Sequence, residues 1–278
     1  MNQKTKQTLI LCGAAVFAVL FLFSGIMLMR QYADKQESAE AFEQVADLIE
    51  TAPESSGETE PADSEESTAP EEPAVIPASE KYAAVYEQNP DFIGWLNVPN
   101  TNINYPVMFT PNKPNFYLKR NFNKEYSDYG VPYMQENCMV RQSDNLIIYG
   151  HHMNDGSMFA DLCKYESKKF YQEHKTFTFD TLAEYGEYEI VAVFKTVAYS
   201  QEGFKYYHFV DAENEADFAE FMGKCKSLSL YDTGVDAEYG DSLITLSTCE
   251  YSRTNGRMVI VARRITESLA EAADHVGY

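Results

Sequence analysis

From Thr8 to Met29 the chain runs 22 residues without a charge, and no other feature limits its architecture as sharply. Wound as an α-helix at about 1.5 Å per residue, such a run spans a bilayer hydrocarbon core of about 30 Å. The competing reading is a cleaved signal peptide, whose apolar core runs about 7 to 15 residues and ends in a small-residue cleavage pattern. Here the run is longer, closes on Met27-Leu-Met-Arg30 and lacks an Ala-x-Ala pattern, so an uncleaved transmembrane anchor over residues 8–29 is expected. Lys4 and Lys6 precede it and acids soon dominate after it. Positive-inside bias then keeps residues 1–7 cytoplasmic and places everything past Met29 outside the cell membrane.

Beyond the anchor the composition changes twice. Phe42, Val45, Ala46 and Ile49 recur at helical spacing, which predicts an amphipathic juxtamembrane helix over 38–50, its partner unidentified. Residues 51–79 contain five prolines among Glu, Ser and Thr, with no aromatic residue and no base. Such a segment cannot bury enough apolar surface to order itself, and as a coil it reaches roughly 30 Å, so it reads as a disordered spacer holding a domain off the membrane. Residues 30–79 are accordingly helix plus acidic linker, and residues 80–278 one globular domain. The net charge of −21 is concentrated in the linker: residues 36–80 carry 14 acids and no Lys or Arg, against 28 acids and 18 bases in residues 81–278. Nucleic-acid binding, which needs clustered cations, is not expected.

Within the domain, apolar and β-branched runs predict strands at 92–98, 103–107, 131–135, 145–151, 176–179, 187–199, 242–249 and 257–265. A short helical stretch containing Tyr82, Val85 and Tyr86 opens the domain near Glu80, and helical patterns interrupt the strands at 158–165, 168–173 and 214–228. Eight short strands point to a barrel or sandwich, so the fold class is mainly β with helices.

Two of those strands end in reactive side chains: Asn145-Leu-Ile-Ile-Tyr-Gly-His151 and Thr245-Leu-Ser-Thr-Cys249, with Arg257 eight positions further on. A thiol is a nucleophile only as thiolate, which a neighbouring imidazole or cation promotes, and a fixed cation also stabilises the oxyanion of acyl transfer. The other cysteines fit no metal or CxxC spacing: Cys12 lies in the anchor, Cys163 and Cys225 fall at helical spacing among apolar residues and read as core, and Cys138 is unassigned. Asn255-Gly256 is a two-residue hairpin signal, and a tight hairpin there would leave Cys249 about 16 Å down the strand from Arg257. The segment 250–256 lacks apolar alternation, however, and reads instead as a loop between neighbouring antiparallel strands, with Cys249 and Arg257 in reach of each other. Between His151 and His152 the alternation makes no choice.

At these residues the chain resembles the class B sortases, membrane-anchored cysteine transpeptidases of Gram-positive cell envelopes. Three motifs carry the resemblance: Tyr149-Gly-His-His-Met-x-Asp-Gly-Ser-Met-Phe159, Thr245-Leu-Ser-Thr-Cys249 and Arg257-Met-Val-Ile-Val-Ala262. Weaker similarity covers about residues 80–267, including Gly94-Trp-Leu-Asn-Val-Pro-Asn-Thr-Asn-Ile-Asn-Tyr-Pro106 and Phe116-Tyr-Leu118. The resemblance implies an eight-stranded sortase β-barrel with an added amino-terminal helix and a helix before the cysteine strand. It assigns His151 as the catalytic histidine, Cys249 as nucleophile and Arg257 as oxyanion or substrate-positioning residue, with Leu118 and Ser247 lining the substrate groove. The implied reaction cuts a sorting signal of LPxTG, PPxTG or NPxTN type through a thioester and passes the protein to a peptidoglycan or lipid II amine. No cofactor is implied, and no clustered carboxylates form a calcium-ligand loop.

Three other functions use parts of the same pattern. A pilus-polymerising sortase shares the trio, but the Asp-Pro-aromatic lid and second membrane helix typical of that group do not occur here. A papain-like protease places its cysteine before its histidine, the reverse of this order. A non-catalytic adhesin would leave Cys249 buried and inert.

Overall fold

The computed structural model describes residues 3–50, 77–199 and 201–266. The acidic linker at 51–76 therefore lies outside the described residues.

Eight strands form: β1 (Phe92–Asn97), β2 (Asn104–Met108), β3 (Tyr133–Met134), β4 (Asn145–Tyr149), β5 (Thr176–Thr181), β6 (Glu187–Val197), β7 (Leu243–Glu250) and β8 (Gly256–Arg264). They close into a barrel in the order β1-β2-β3-β4-β7-β8-β6-β5, which leaves no unpaired edge. Each strand coincides with an expected apolar run, though β3 shrinks to two residues. β4 and β7 pair in parallel, and strands of a parallel pair are covered on both faces. Leu146, Ile147 and Ile148 are accordingly all buried, which is why alternation along this strand could not tell one histidine from the next.

Helix α5 (Glu215–Leu228) follows the expected pattern. Asn214 caps it by accepting from the amides of Ala216 at 2.9 Å and Asp217 at 3.2 Å, a contribution of about 1 kcal/mol. Its apolar stripe, Phe218, Phe221, Met222 and Cys225, is buried and packs against β6. The short helices α2 (Ala78–Lys81), α3 (Ala83–Gln88) and α4 (Lys168–Glu173) join the long amino-terminal helix α1 (Gln3–Glu50); α2 begins inside the stretch read as spacer.

The segment expected as an α-helix near Met158 is instead a 3-10 turn, Ala160–Glu166. With about three residues per turn, i and i+3 eclipse, so Phe159, Leu162 and Tyr165 all point inward and are buried. Cys163, read as core on a 3.6-residue period, turns aside and stays only half-buried.

The largest departure is at the amino end. Anchor and juxtamembrane helix are one continuous helix, α1 (Gln3–Glu50), because residues 30–37 contain neither Gly nor Pro. Its first part is the one described helix long and apolar enough to cross a membrane, with Phe21 79% exposed. Its last part lies on the barrel: Ser38, Ala41 and Val45 are buried, and Phe42 meets the Tyr105 ring edge-on at 4.9 Å. Val45 joins an apolar cluster with Tyr82, Val85, Phe92, Trp95 and Met108. The partner missing from the sequence reading is thus the domain itself, and the barrel docks directly on the anchor helix rather than standing away from it.

Candidate active site

Two strand ladders assemble the site. Every partner pair in the parallel β4–β7 ladder, from Asn145↔Leu243 to Tyr149↔Ser247, is separated by 98 positions, the same separation as His151 and Cys249. The pairing continues past the strand end, where the Gly150 amide donates to the Ser247 carbonyl at 3.1 Å and the Thr248 hydroxyl to the Gly150 carbonyl at 2.8 Å. His151 and Cys249 therefore leave adjacent strands at one height, about 4.8 Å apart in the backbone. In the antiparallel β7–β8 ladder Cys249 pairs directly with Arg257. The turn between them is the loop, not the tight hairpin. Asn255 sits at φ 57°, and Gly256 passes so close to the Glu250 carbonyl that a Cβ would lie 2.4 Å from it.

The three side chains share a groove of about 360 Å³, also lined by Leu118, Tyr133, Tyr149, Tyr199, Tyr206 and Ser247. His151 Nε2 donates to the Leu118 carbonyl at 2.7 Å. Because a carbonyl only accepts, the neutral ring carries its proton on Nε2 and leaves Nδ1 as the basic nitrogen. Burial pushes the His151 pKa below its ordinary value; the Leu118 carbonyl and Asp128 oppose that shift, and Lys119 adds to it. The imidazole is thus neutral near pH 7, ready to accept a proton.

Arg257 donates from Nη1 to the Gly256 carbonyl at 2.9 Å and lies 6.0 Å from the Tyr199 ring centroid. Neither partner is a carboxylate, so its charge is available to an anion in the groove. The loop that precedes its strand is anchored by Glu250, which accepts from the Ser252 amide at 3.0 Å and hydroxyl at 2.7 Å and pairs with Lys195 at 3.4 Å.

His152 takes the other side of the strand. Its Nδ1 lies 3.0 Å from the Cys249 carbonyl and 3.3 Å from Cys163 Sγ, and its ring meets Tyr251 at 4.9 Å. It braces the backbone of Cys249 from behind, while His151 faces the groove. All five cysteines are free thiols.

Of the two groove residues assigned by resemblance, Leu118 is 38% exposed and offers an apolar wall. Ser247 is almost fully buried and spends its hydroxyl on Tyr206 at 2.6 Å. Sequence reasoning missed the tyrosines. Tyr133, Tyr149, Tyr199, Tyr206 and Tyr207 all line the groove; Tyr149 stood in the histidine motif, and for the others the hint was a count of 20 tyrosines in 278 residues. It also missed the Leu118 carbonyl, since a backbone acceptor has no sequence signature. Among the described residues no three His, Cys, Asp or Glu side chains are grouped to hold a metal ion.

This arrangement matches known proteins. A sortase domain model matches residues 96–265. Sortase B of Listeria monocytogenes is 36% identical over 182 residues, covering 64% of this chain and 72% of that protein. Sortase B of Staphylococcus aureus is 35% identical over 194 residues, covering 68% and 76%. The structure of a Staphylococcus aureus sortase B–substrate complex superposes with a TM-score of 0.69 at 28% identity, over 84% of this chain and 99% of that one.

Proposed function

Since the chain belongs to the sortase family, in class B, and is a cysteine transpeptidase, we propose that it cuts a sorting signal of LPxTG, PPxTG or NPxTN type and joins the carboxyl side of the cut threonine to a peptidoglycan or lipid II amine. The observation that supports this most is the pair of ladders that sets His151, Cys249 and Arg257 around one groove.

In this reading the Cys249 thiolate adds to the threonine carbonyl carbon. Arg257 faces the oxyanion that forms, a contribution of several kcal/mol when the donor is fixed in advance. The C–N bond breaks as His151, protonated by the thiol, returns that proton to the leaving amine, and a thioester remains. An incoming amine adds to the thioester and yields its proton to His151. The Cys249–carbon bond then breaks, releasing the thiolate and the new amide. The exposed Leu118 side chain and the tyrosine-lined floor at Ser247 receive the apolar and proline-containing part of the signal. The apolar part of α1 anchors the protein in the cell membrane, amino end inside, with the catalytic domain on the outer face where such substrates and wall amines occur.

The test is incubation of the protein with fluorogenic peptides carrying each of the three signals, with and without an amine acceptor, beside C249A. One peptide should be cut, acceptor should raise product transfer over hydrolysis, and mass spectrometry should find an acyl group on Cys249. Cleavage that persists in C249A, or no cleavage of any peptide, would overturn the proposal.

A further inference from the structure

We propose that the juxtamembrane part of α1, through Asp34, Lys35, Ser38 and Phe42, positions His151, so that the membrane anchor is part of the catalytic apparatus. The inference rests on the reading of His151 as the proton-transfer group.

Two segments hold His151, and α1 touches both. The first is the one that supplies the Leu118 carbonyl to Nε2. Its neighbour Lys119 accepts at its carbonyl from the Ser127 amide at 3.1 Å and pairs through Nζ with Asp128 at 2.6 Å. On α1, Ser38 meets the Ser127 hydroxyl at 2.9 Å with both residues buried, and Asp34 accepts from the Asp128 amide at 2.8 Å. The second segment is the loop following the histidine, where the Phe159 amide donates to the His151 carbonyl at 2.7 Å. Lys35 reaches Asp155 in this loop at 3.0 Å. Phe42 packs on Tyr105, whose hydroxyl accepts from the Met158 amide at 3.1 Å.

An exposed ion pair such as Lys35–Asp155 contributes little alone. Its partners here include a buried hydroxyl pair and an aromatic contact on the same helix face, so docking is cooperative. Removing α1 would free the Leu118–Tyr129 segment and the loop at Asp155–Met158 together. The imidazole would then lose its fixed acceptor, and small misplacements of a reacting group carry large rate penalties. The charged and titratable groups around His151 include Lys119 and Asp128 beside it, Cys249, Arg257, Glu136 and the tyrosines of the groove, and Asp34, Lys35 and Asp155 at the α1 contact.

The experiment uses the full chain in detergent micelles and compares D34A, S38A and their double variant with D34N, which keeps an oxygen acceptor for the Asp128 amide. Six quantities are read: kcat and KM with the peptide that is cut, the pH dependence of kcat, the titration of the His151 ring by NMR, the melting temperature, and amide exchange over residues 34–49. The double variant should lose about tenfold in kcat with KM within about twofold, the size of coupling carried by a packed contact chain. Its imidazole titration should shift from the parent's as the Leu118 carbonyl loosens and the burial of the ring changes, and D34N should recover most of the loss of D34A. An H151A control that stayed active would dispose of the catalytic reading, and the ring titration would still judge the coupling to α1. The inference fails if amide exchange shows residues 34–49 released while kcat, pH dependence and ring titration all match the parent.

Discussion

Arg257 stands one cross-strand step from Cys249, and among the described residues its guanidinium meets the Gly256 carbonyl and the Tyr199 ring. Replacing it with alanine should lower kcat by about 10²–10³-fold with little change in KM, as for loss of one oxyanion donor. Lysine should recover only part, since an ammonium lacks the planar fork; steady-state kinetics of both variants check this. Lys119 permits a sharper test. Its charge depresses the His151 pKa while Asp128 raises it, and the two pair with each other. Lys119→Met removes the depressing charge and leaves the Asp128 carboxylate unpaired. Both effects favour the imidazolium, so the histidine limb of the rate–pH profile should shift toward higher pH. A shift toward lower pH would contradict the assigned environment.

At the scale of elements, the site depends on register. A slip of one residue in β4 against β7 would turn His151 from the groove to the side now held by His152. Gly150 guards that register, because a Cβ there would lie 2.5 Å from the Phe159 ring. Gly150→Ala should therefore force the ring or the strand end to move, at a cost of about 1–3 kcal/mol. The expected result is a lower melting temperature together with reduced kcat, measured by thermal unfolding and peptide turnover. The 3-10 turn Ala160–Glu166 has a similar local logic. Its three-residue period buries Phe159, Leu162 and Tyr165 and frees Cys163 to contact His152.

At the scale of the whole molecule, the anchor helix and the barrel form one packed unit. The first contact of α1 with the domain, at Asp34, comes five residues after Met29, or about 8 Å along the helix. The barrel thus stands close to the end of the apolar span. Val45 is 2% exposed within the cluster that joins α1 to the barrel. Val45→Asp would bury a charge there without a partner, which costs several kcal/mol or releases the helix. Limited proteolysis should then cut α1 between residues 34 and 49, where the parent chain resists.

The sequence by itself determined a transmembrane-length helix and eight strands close to their observed bounds, and it singled out His151, Cys249 and Arg257, which the structure brings to one groove. These are legible because hydrophobic period and strand-end chemistry are local properties. The β7–β8 approach was legible too, since seven residues without apolar alternation favour a loop. The remainder rests on contacts between segments far apart in the chain. The parallel register that levels His151 with Cys249, the facing of His151 rather than His152 into the groove, the Leu118 carbonyl, the tyrosine-lined groove and the seat of α1 on the barrel all belong to that class. A backbone acceptor and a docking face carry no residue-type signal of their own, so only the tertiary structure decided them.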